Sequence, residues 1–362
     1  MQTDEPFRNV AGKRSISRSR RRGTFPSPRG ADTPEVAAAD VLSVRLHRAM
    51  GTEFAVYLDA ADDVQAQACF DTVFDEIDRL ELTFSRFRPM SELSRLNRHA
   101  GQGPAVTDPE VFQLLSFALE VSEKTGGAFD ITVGRLTRAL GFGERQGRIP
   151  DDRELAEAKE FVGWRNVELD AKWRTVFFTC PALELDLGAI AKGYAVDRAI
   201  EVLRSAGVSA LIDAGSSSIA ATGEAFARSW KMGVASPVDR GVTICEVELG
   251  ARALSTSGIS EQSFVHGGRK YSHLIDPRDP APGTYETARQ ALQVTVLAPS
   301  SALADALATA MFILGYEHGS VALAQFTDCS ALWIYSDADG IQCMGHRWPE
   351  HFIVDTETHG QT

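Results

Sequence analysis

The segments ALQVTVL (291–297), SALADALATAMFIL (301–314, closed by Gly315) and SALWIY (330–335) read as strand, helix and strand. The outer two are short apolar runs rich in β-branched and aromatic residues, and the middle one is long enough for a buried helix ended by glycine. Working outward, β-rich segments appear at 174–179 (RTVFFT), 209–213 (SALID) and 241–249 (GVTICEVEL), and a second glycine-closed helix at 189–206, before Gly207. Closer to the start, Val44-Arg45-Leu46 and Phe54 to Leu58 alternate as two strands joined by a turn near Gly51. Residues 64–83 then place Phe70, Val73, Phe74, Ile77, Leu80 and the adjoining Phe84 at helical spacing. Thr107-Asp108-Pro109-Glu110 reads as a capping box opening a helix with Val111, Leu114, Leu115, Ala118 and Val121 on one face, which stops at Gly126-Gly127. Strands and helices do not alternate regularly enough for a doubly wound parallel sheet. The reading is therefore α+β: one large mixed domain over residues 41–356, preceded by a disordered basic tail over 1–40.

Composition bounds the function. With 44% hydrophobic and 24% charged residues, the chain is neither fibrous nor mostly disordered. No uninterrupted apolar run approaches the roughly 18 residues of a membrane-spanning helix, so no stable membrane insertion is expected. The net charge is −12, although residues 1–30 carry eight Lys or Arg against Asp4 and Glu5. The body is thus more acidic than the total, and no nucleic-acid partner is expected of it. A polyanionic ligand must be held there by backbone amides, a metal ion or a few placed cations. The arginines at 18–22 are followed by Gly23-Thr24-Phe25-Pro26-Ser27-Pro28, without an apolar export segment or lipid-accepting cysteine, which gives a cytoplasmic expectation. Five scattered cysteines, Cys69, Cys180, Cys245, Cys329 and Cys343, form no CxxC pair and read as core thiols of a reducing compartment.

Several residues are hard to explain as packing alone. Asp305 and Thr309 are the only polar side chains over 302–314, and they lie one turn apart on one helix face. A buried carboxylate needs a partner: a backbone amide, an arginine or, with Thr309, a Mg²⁺ ion bound by oxygens. In Leu185 to Val196 the only charges are Asp186 and Lys192, with Gly188 and Gly193 at the start of a helix. Amides at a helix start plus a lysine one turn in suit a phosphate. Three loops complete the set: Gly126-Gly127-Ala128-Phe129-Asp130, which presents an exposed carboxylate; Ser257-Gly258 after a strand; and Tyr271 to Arg278, which presents His273 with Asp276.

Taken in order, these segments resemble the FAD:protein FMN transferase (ApbE-like) family. The resemblance runs from Met50-Gly51-Thr52 through Phe84 to Asn97, Thr125 to Gly134, Leu185 to Tyr194, Ser255-Thr256-Ser257-Gly258 and His273 to Arg278, as far as Ala304 to Thr309 and on to about residue 335. It implies a single α+β domain of T-fold-like type. The implied activity moves FMN from FAD to a threonine hydroxyl of an acceptor protein through a phosphoester bond, releasing AMP, with FAD as substrate and Mg²⁺ as metal. By the same resemblance Met50, Phe87, Ala128, Phe129, Asp130, Asp186, Lys192 and Ile275 contact FAD. Ser257 and Gly258 join that set from the residue reading. The metal ligands implied are the Ala189 carbonyl, Asp305 and Thr309. His273 is the candidate base, because imidazole titrates near neutrality, with Lys192 and Asp276 as further catalytic candidates. Two other expectations share these residues: a Mg²⁺-dependent FAD pyrophosphatase giving FMN and AMP, and a non-catalytic FAD-binding protein. The chain departs from the family pattern at Asp279-Pro280, where Thr-Gly is usual, at Ser216-Ser217-Ser218, which is often glycine-rich, and at Ile259-Ser260-Glu261, where an Asp-Tyr-like pair is common.

Overall fold

The computed structural model describes residues 14–16, 42–142, 148–223, 230–239, 241–259, 263–266, 269–278, 291–337 and 340–349. The expected tail therefore lies outside the described residues apart from 14–16, as do Asp279, Pro280, Ser260 and Glu261. In chain order the elements are β1 (Arg14–Ile16), β2 (Ser43–Ala49), β3 (Thr52–Asp59), α1 (Asp63–Phe84), α2 (Glu92–His99), β4 (Ala105–Val106), α3 (Pro109–Lys124), α4 (Gly134–Ala139), α5 (Asp152–Glu160), β5 (Val167–Asp170) and β6 (Thr175–Phe178). There follow α6 (Ala191–Ser205), β7 (Ser209–Ala214), β8 (Ser218–Ala221), β9 (Lys231–Ala235), β10 (Thr243–Glu248), β11 (Ala253–Gly258), β12 (Ser263–His266), β13 (Arg269–Ser272), β14 (Gln293–Ala298), α7 (Ser301–Leu323), β15 (Ser330–Asp337) and β16 (Gly340–His346).

A nine-stranded sheet in the order β1-β16-β15-β14-β11-β8-β7-β3-β2 carries the molecule, and its paired strands are antiparallel. This fits the α+β expectation. Both faces of its central strands are buried, which explains why they read as nearly continuous apolar runs rather than alternating ones. Ala210, Ile212, Val294, Val296, Ala331 and Trp333 point to the core beneath the helices, while Leu211, Leu297, Leu332 and Ile334 point to a second core. That second core is covered by the β9–β10 hairpin through Met232, Val234, Ile244 and Val247. On the first face α6 packs against both α1 and α7, and α7 lies on β11 and β14.

Helix α1 starts where Asp62 accepts the Gln65 N–H at 2.8 Å, a side-chain N-cap worth about 1 kcal/mol. It buries Phe70, Val73, Ile77, Leu80 and Phe84 and ends at Ser85, whose extended backbone (ψ 119°) turns the chain into the loop carrying Arg86 and Phe87. The capping reading at Thr107 needs correction. Asp108 is the N-cap and accepts from Glu110 N–H at 2.8 Å, while the Thr107 hydroxyl donates to Glu92 at 2.6 Å. The helix read over 189–206 begins at Ala191, so Ala189 precedes it. The one read over 301–314 breaks at Gly315 (φ 66°, ψ −179°) and then resumes as far as Leu323. α7 is long and apolar enough to cross a membrane by length and mean hydropathy, but it is the core helix of the sheet's inner face. Ser257 and Gly258 close strand β11 rather than forming a loop.

Candidate active site

The β2–β3 turn, the loop after α1, the segment after α3, α4, the start of α6, the β7–β8 turn, strand β11, the segment after β13 and the first turns of α7 converge on a cavity of about 800 Å³. That volume is toward the upper end for small-molecule sites, about 300–1,000 Å³. Of the residues singled out from sequence, Met50, Phe87, Ala128, Phe129, Asp130, Asp186, Ala189, Lys192, Ser257, His273, Ile275, Asp305 and Thr309 line it. Gly258 and Asp276 are not among the lining residues. Gly258 is paired with Gln293 in the sheet, and Asp276 is engaged by Arg278 at 2.7 and 2.8 Å. Arg278 is the partner the structure gives Asp276. The His273 ring meets Phe142 edge-on, with centroids 6.3 Å apart.

The centre of the site is Asp305, only 5% exposed. One carboxylate oxygen accepts from the Gly193 N–H at 2.7 Å and lies 3.3 Å from Lys192 Nζ. The other accepts from the hydroxyls of Ser218 and Ser255, the latter at 2.6 Å. Lys192 Nζ also donates to the Ser218 hydroxyl. A carboxylate at this depth is tolerable because both oxygens are hydrogen-bonded and one faces an ammonium. Gly193 makes the arrangement sterically feasible, since a Cβ there would collide with the Ser301 carbonyl. Thr309, one turn on from Asp305, has its hydroxyl 3.5 Å from that of Ser257.

The flanking carboxylates are equally well held. Asp130 is buried rather than exposed, and it accepts from Thr132 N–H, Thr132 Oγ1 and Trp164 N–H at 2.6–2.9 Å. Burial pushes its carboxyl above the usual range, and these donors pull it back only in part. Asp186 accepts from Gly188 N–H at 2.9 Å and Thr137 Oγ1 at 3.0 Å, and lies 3.1 Å from Arg86 Nε. Arg86 also approaches Glu184 and covers the Phe87 ring at 4.4 Å. Met50 takes a positive φ of 50° at the β2–β3 turn, where its N–H donates to Glu81 at 2.8 Å.

Oxygen ligands for Mg²⁺ are consistent with the chemistry found here. The Asp305 carboxylate, the Thr309 hydroxyl and the Ala189 backbone line one cavity. Moreover, the Gly193 N–H, which would otherwise close a helical turn on the Ala189 carbonyl, is directed to Asp305. The set is one of hard oxygens, with room beside them for phosphate and water, as Mg²⁺ prefers.

Sequence reading missed Arg86 as the partner of Asp186, and Ser218 and Ser255 as donors to Asp305. It also missed Asp197, which accepts from Ser301 and Ala302 N–H at 2.6 and 2.8 Å and so caps α7 from α6. A carboxylate one helical turn beyond Gly193 was a usable signal for Asp197. Nothing in the pattern of serines distinguishes a buried donor from a surface one.

Fold and cavity together define an α+β protein whose polar site is built between the starts of two packed helices. Residues 50–333 match the ApbE family, and the chain belongs to it. The FAD:protein FMN transferase of Treponema pallidum (strain Nichols) is 33% identical over 288 residues, 75% of this chain and 78% of that protein. Its counterpart in Klebsiella pneumoniae (strain 342) is 31% identical over 292 residues, 80% and 88% of the two chains. Among solved structures, the ApbE protein of Thermotoga maritima superposes with a TM-score of 0.74 at 29% identity, covering 82% of this chain and 94% of that one. The flavin transferase ApbE from Vibrio cholerae gives 0.72 at 27% identity, covering 86% and 99%.

Proposed function

We propose that this protein is an FAD:protein FMN transferase that binds FAD in the cavity and moves its FMN half to a threonine hydroxyl of an acceptor protein. The observation carrying the reading is the convergence of Lys192, Asp305 and Thr309 on one cavity in a chain whose relatives are named for this reaction. In the reaction the threonine oxygen bonds to the FMN phosphorus and the P–O bond to AMP breaks. The hydroxyl proton goes to a base, and AMP leaves with the bridging oxygen.

Charge neutralisation and alignment dominate such a displacement. Lys192 supplies a cation at the pyrophosphate. Asp186, fixed by Arg86, Thr137 and Gly188 N–H, offers an acceptor for donor groups of the nucleotide. Phe87 and Phe129 provide apolar and aromatic wall for the ring systems. His273 lines the same cavity and is assigned the proton of the threonine hydroxyl. Asp305, Thr309 and the Ala189 carbonyl would hold Mg²⁺, which when bound neutralises charge on the pyrophosphate oxygens.

The test is product analysis by chromatography with FAD, Mg²⁺ and a candidate acceptor. AMP release that requires the acceptor supports transfer. Release of AMP and free FMN irrespective of acceptor would mark an FAD pyrophosphatase, and no turnover an FAD-binding protein.

A further inference from the structure

Lys192 and Asp305 come from the first turns of different helices, yet in this structure each is the other's charge partner at 3.3 Å. The Asp305 side chain is 5% exposed and that of Lys192 20%, so neither charge is well solvated. Lys192 also donates to Ser218, which itself donates to Asp305, so the ammonium is held against the carboxylate from two sides. Burial pushes the Asp213 carboxyl up, and the Ser216 N–H and the nearby Lys192 ammonium oppose that push only in part. The only other partners found for Asp305 are neutral: Gly193 N–H, Ser218 and Ser255. Among the described residues, Lys192 is thus the one cation paired with the carboxylate assigned to the metal.

From this we infer that Lys192 is the resident counter-ion of Asp305 and exchanges partners during loading, giving up the carboxylate to a divalent cation and turning to the pyrophosphate. The inference rests on the proposed function only for its FAD arm. Two cations cannot share one buried carboxylate without repulsion, so metal binding alone costs the ammonium its paired carboxylate and leaves it only the longer-range attraction of Asp213. A pyrophosphate taken up alone draws Lys192 away and leaves Asp305 without a cation. Arriving together, the two ligands satisfy both groups. Each therefore raises the affinity for the other, as linkage requires. Lys192 thereby acts as a positioning residue that also holds off premature metal binding.

The sign of one substitution distinguishes this role from a merely structural one. Lys192→Met removes the competing cation, so Mg²⁺ titrated calorimetrically into the FAD-free protein should bind about tenfold more tightly than to the parent. Lys192→Arg, which keeps the charge, should stay close to the parent. Equal or weaker Mg²⁺ affinity in a folded Lys192→Met protein overturns the inference. The unaltered protein gives a second readout that does not depend on the variant folding. Reductive methylation followed by peptide mass mapping should show Lys192 more reactive with saturating Mg²⁺ alone and protected again when FAD is added. Reactivity unmoved by Mg²⁺ also overturns the inference. A protein that binds no FAD would defeat the functional reading instead, and leave both Mg²⁺ arms decisive.

Discussion

The backbone N–H of Gly193 donates to Asp305 at 2.7 Å, joining residues 112 positions apart at the starts of α6 and α7. The same two helices are tied in the opposite sense by Asp197 of α6, which accepts from the first N–H groups of α7. The Lys192–Asp305 end of the site is thus assembled by helix packing, so changes there affect stability and chemistry together.

Gly193→Ala should be damaging out of proportion to one methyl group. The new Cβ meets the Ser301 carbonyl, part of the backbone, so α6 and α7 must separate. Overpacking of this kind costs about 1–3 kcal/mol, to be read as a lowered denaturation midpoint, with FAD turnover falling in parallel because Asp305 moves.

Asp305→Ala should lose both activity and stability. Its carboxylate accepts from Gly193 N–H, Ser218 and Ser255; the Ser255 hydroxyl can turn to the Ser217 carbonyl at 2.8 Å, but a buried donor left unsatisfied costs about 1–3 kcal/mol. Denaturant titration and Mg²⁺-dependent FAD turnover check the two halves separately. A variant turning over FAD at the parental rate and with the parental Mg²⁺ dependence would remove Asp305 from the metal site.

Thr309→Val keeps the shape and deletes one oxygen, whose one contact among the described residues is with Ser257 at 3.5 Å. The expected result is a higher Mg²⁺ concentration for half-maximal turnover, with little change in denaturation midpoint. An unchanged Mg²⁺ dependence would mean that Thr309 holds no metal.

The pH dependence of stability has a defined sign at Asp197. Burial pushes its carboxyl up to about 7, with Asp305 adding to the push and the Ser301 and Ala302 amides opposing it. A carboxyl raised in the folded state favours folding in its protonated form. Its contribution is therefore complete below the unfolded value, near 3.8, and is lost as pH rises through about 7. Asp197→Asn should lower stability overall but flatten its slope between pH 4 and 8, as followed by denaturant unfolding at a series of pH values.

Ligand preference provides a further check. Lys192 is assigned to a pyrophosphate and the Asp305–Thr309 pair to the Mg²⁺ that would neutralise it, so FAD should bind more tightly than FMN in a calorimetric titration with Mg²⁺ present. Equal affinity would contradict that assignment.

Much of this was legible in the sequence because the informative residues break a pattern. Asp305 and Thr309 stand out from an otherwise apolar helix, and Asp186 and Lys192 do so in their own segment. The strands at 209–213 and 330–335 were legible because doubly buried strands are short apolar runs, and that at 174–179 because Thr, Val and Phe favour a half-buried strand. By contrast, β8 and β11 (SIAA and ALSTSG) carry small and hydroxyl residues whose use as sheet is set by their neighbours. Helix α2 (ELSRLNRH) is mostly polar and offers too little apolar periodicity to identify a helix of eight residues. The Arg86–Asp186 pair joins positions 100 residues apart through folding alone, so no local signal encodes it. The Arg278 grip on Asp276 spans two residues, but no spacing rule marks an arginine two positions on as its partner.

The most direct measurement is the intact mass of a candidate acceptor protein after incubation with this protein, FAD and Mg²⁺, beside an acceptor whose target threonine is replaced by alanine. The account predicts a gain of one FMN phosphoester on the threonine-bearing acceptor and none on the alanine form. Free FMN and AMP accumulating while the acceptor mass stays unchanged would contradict it.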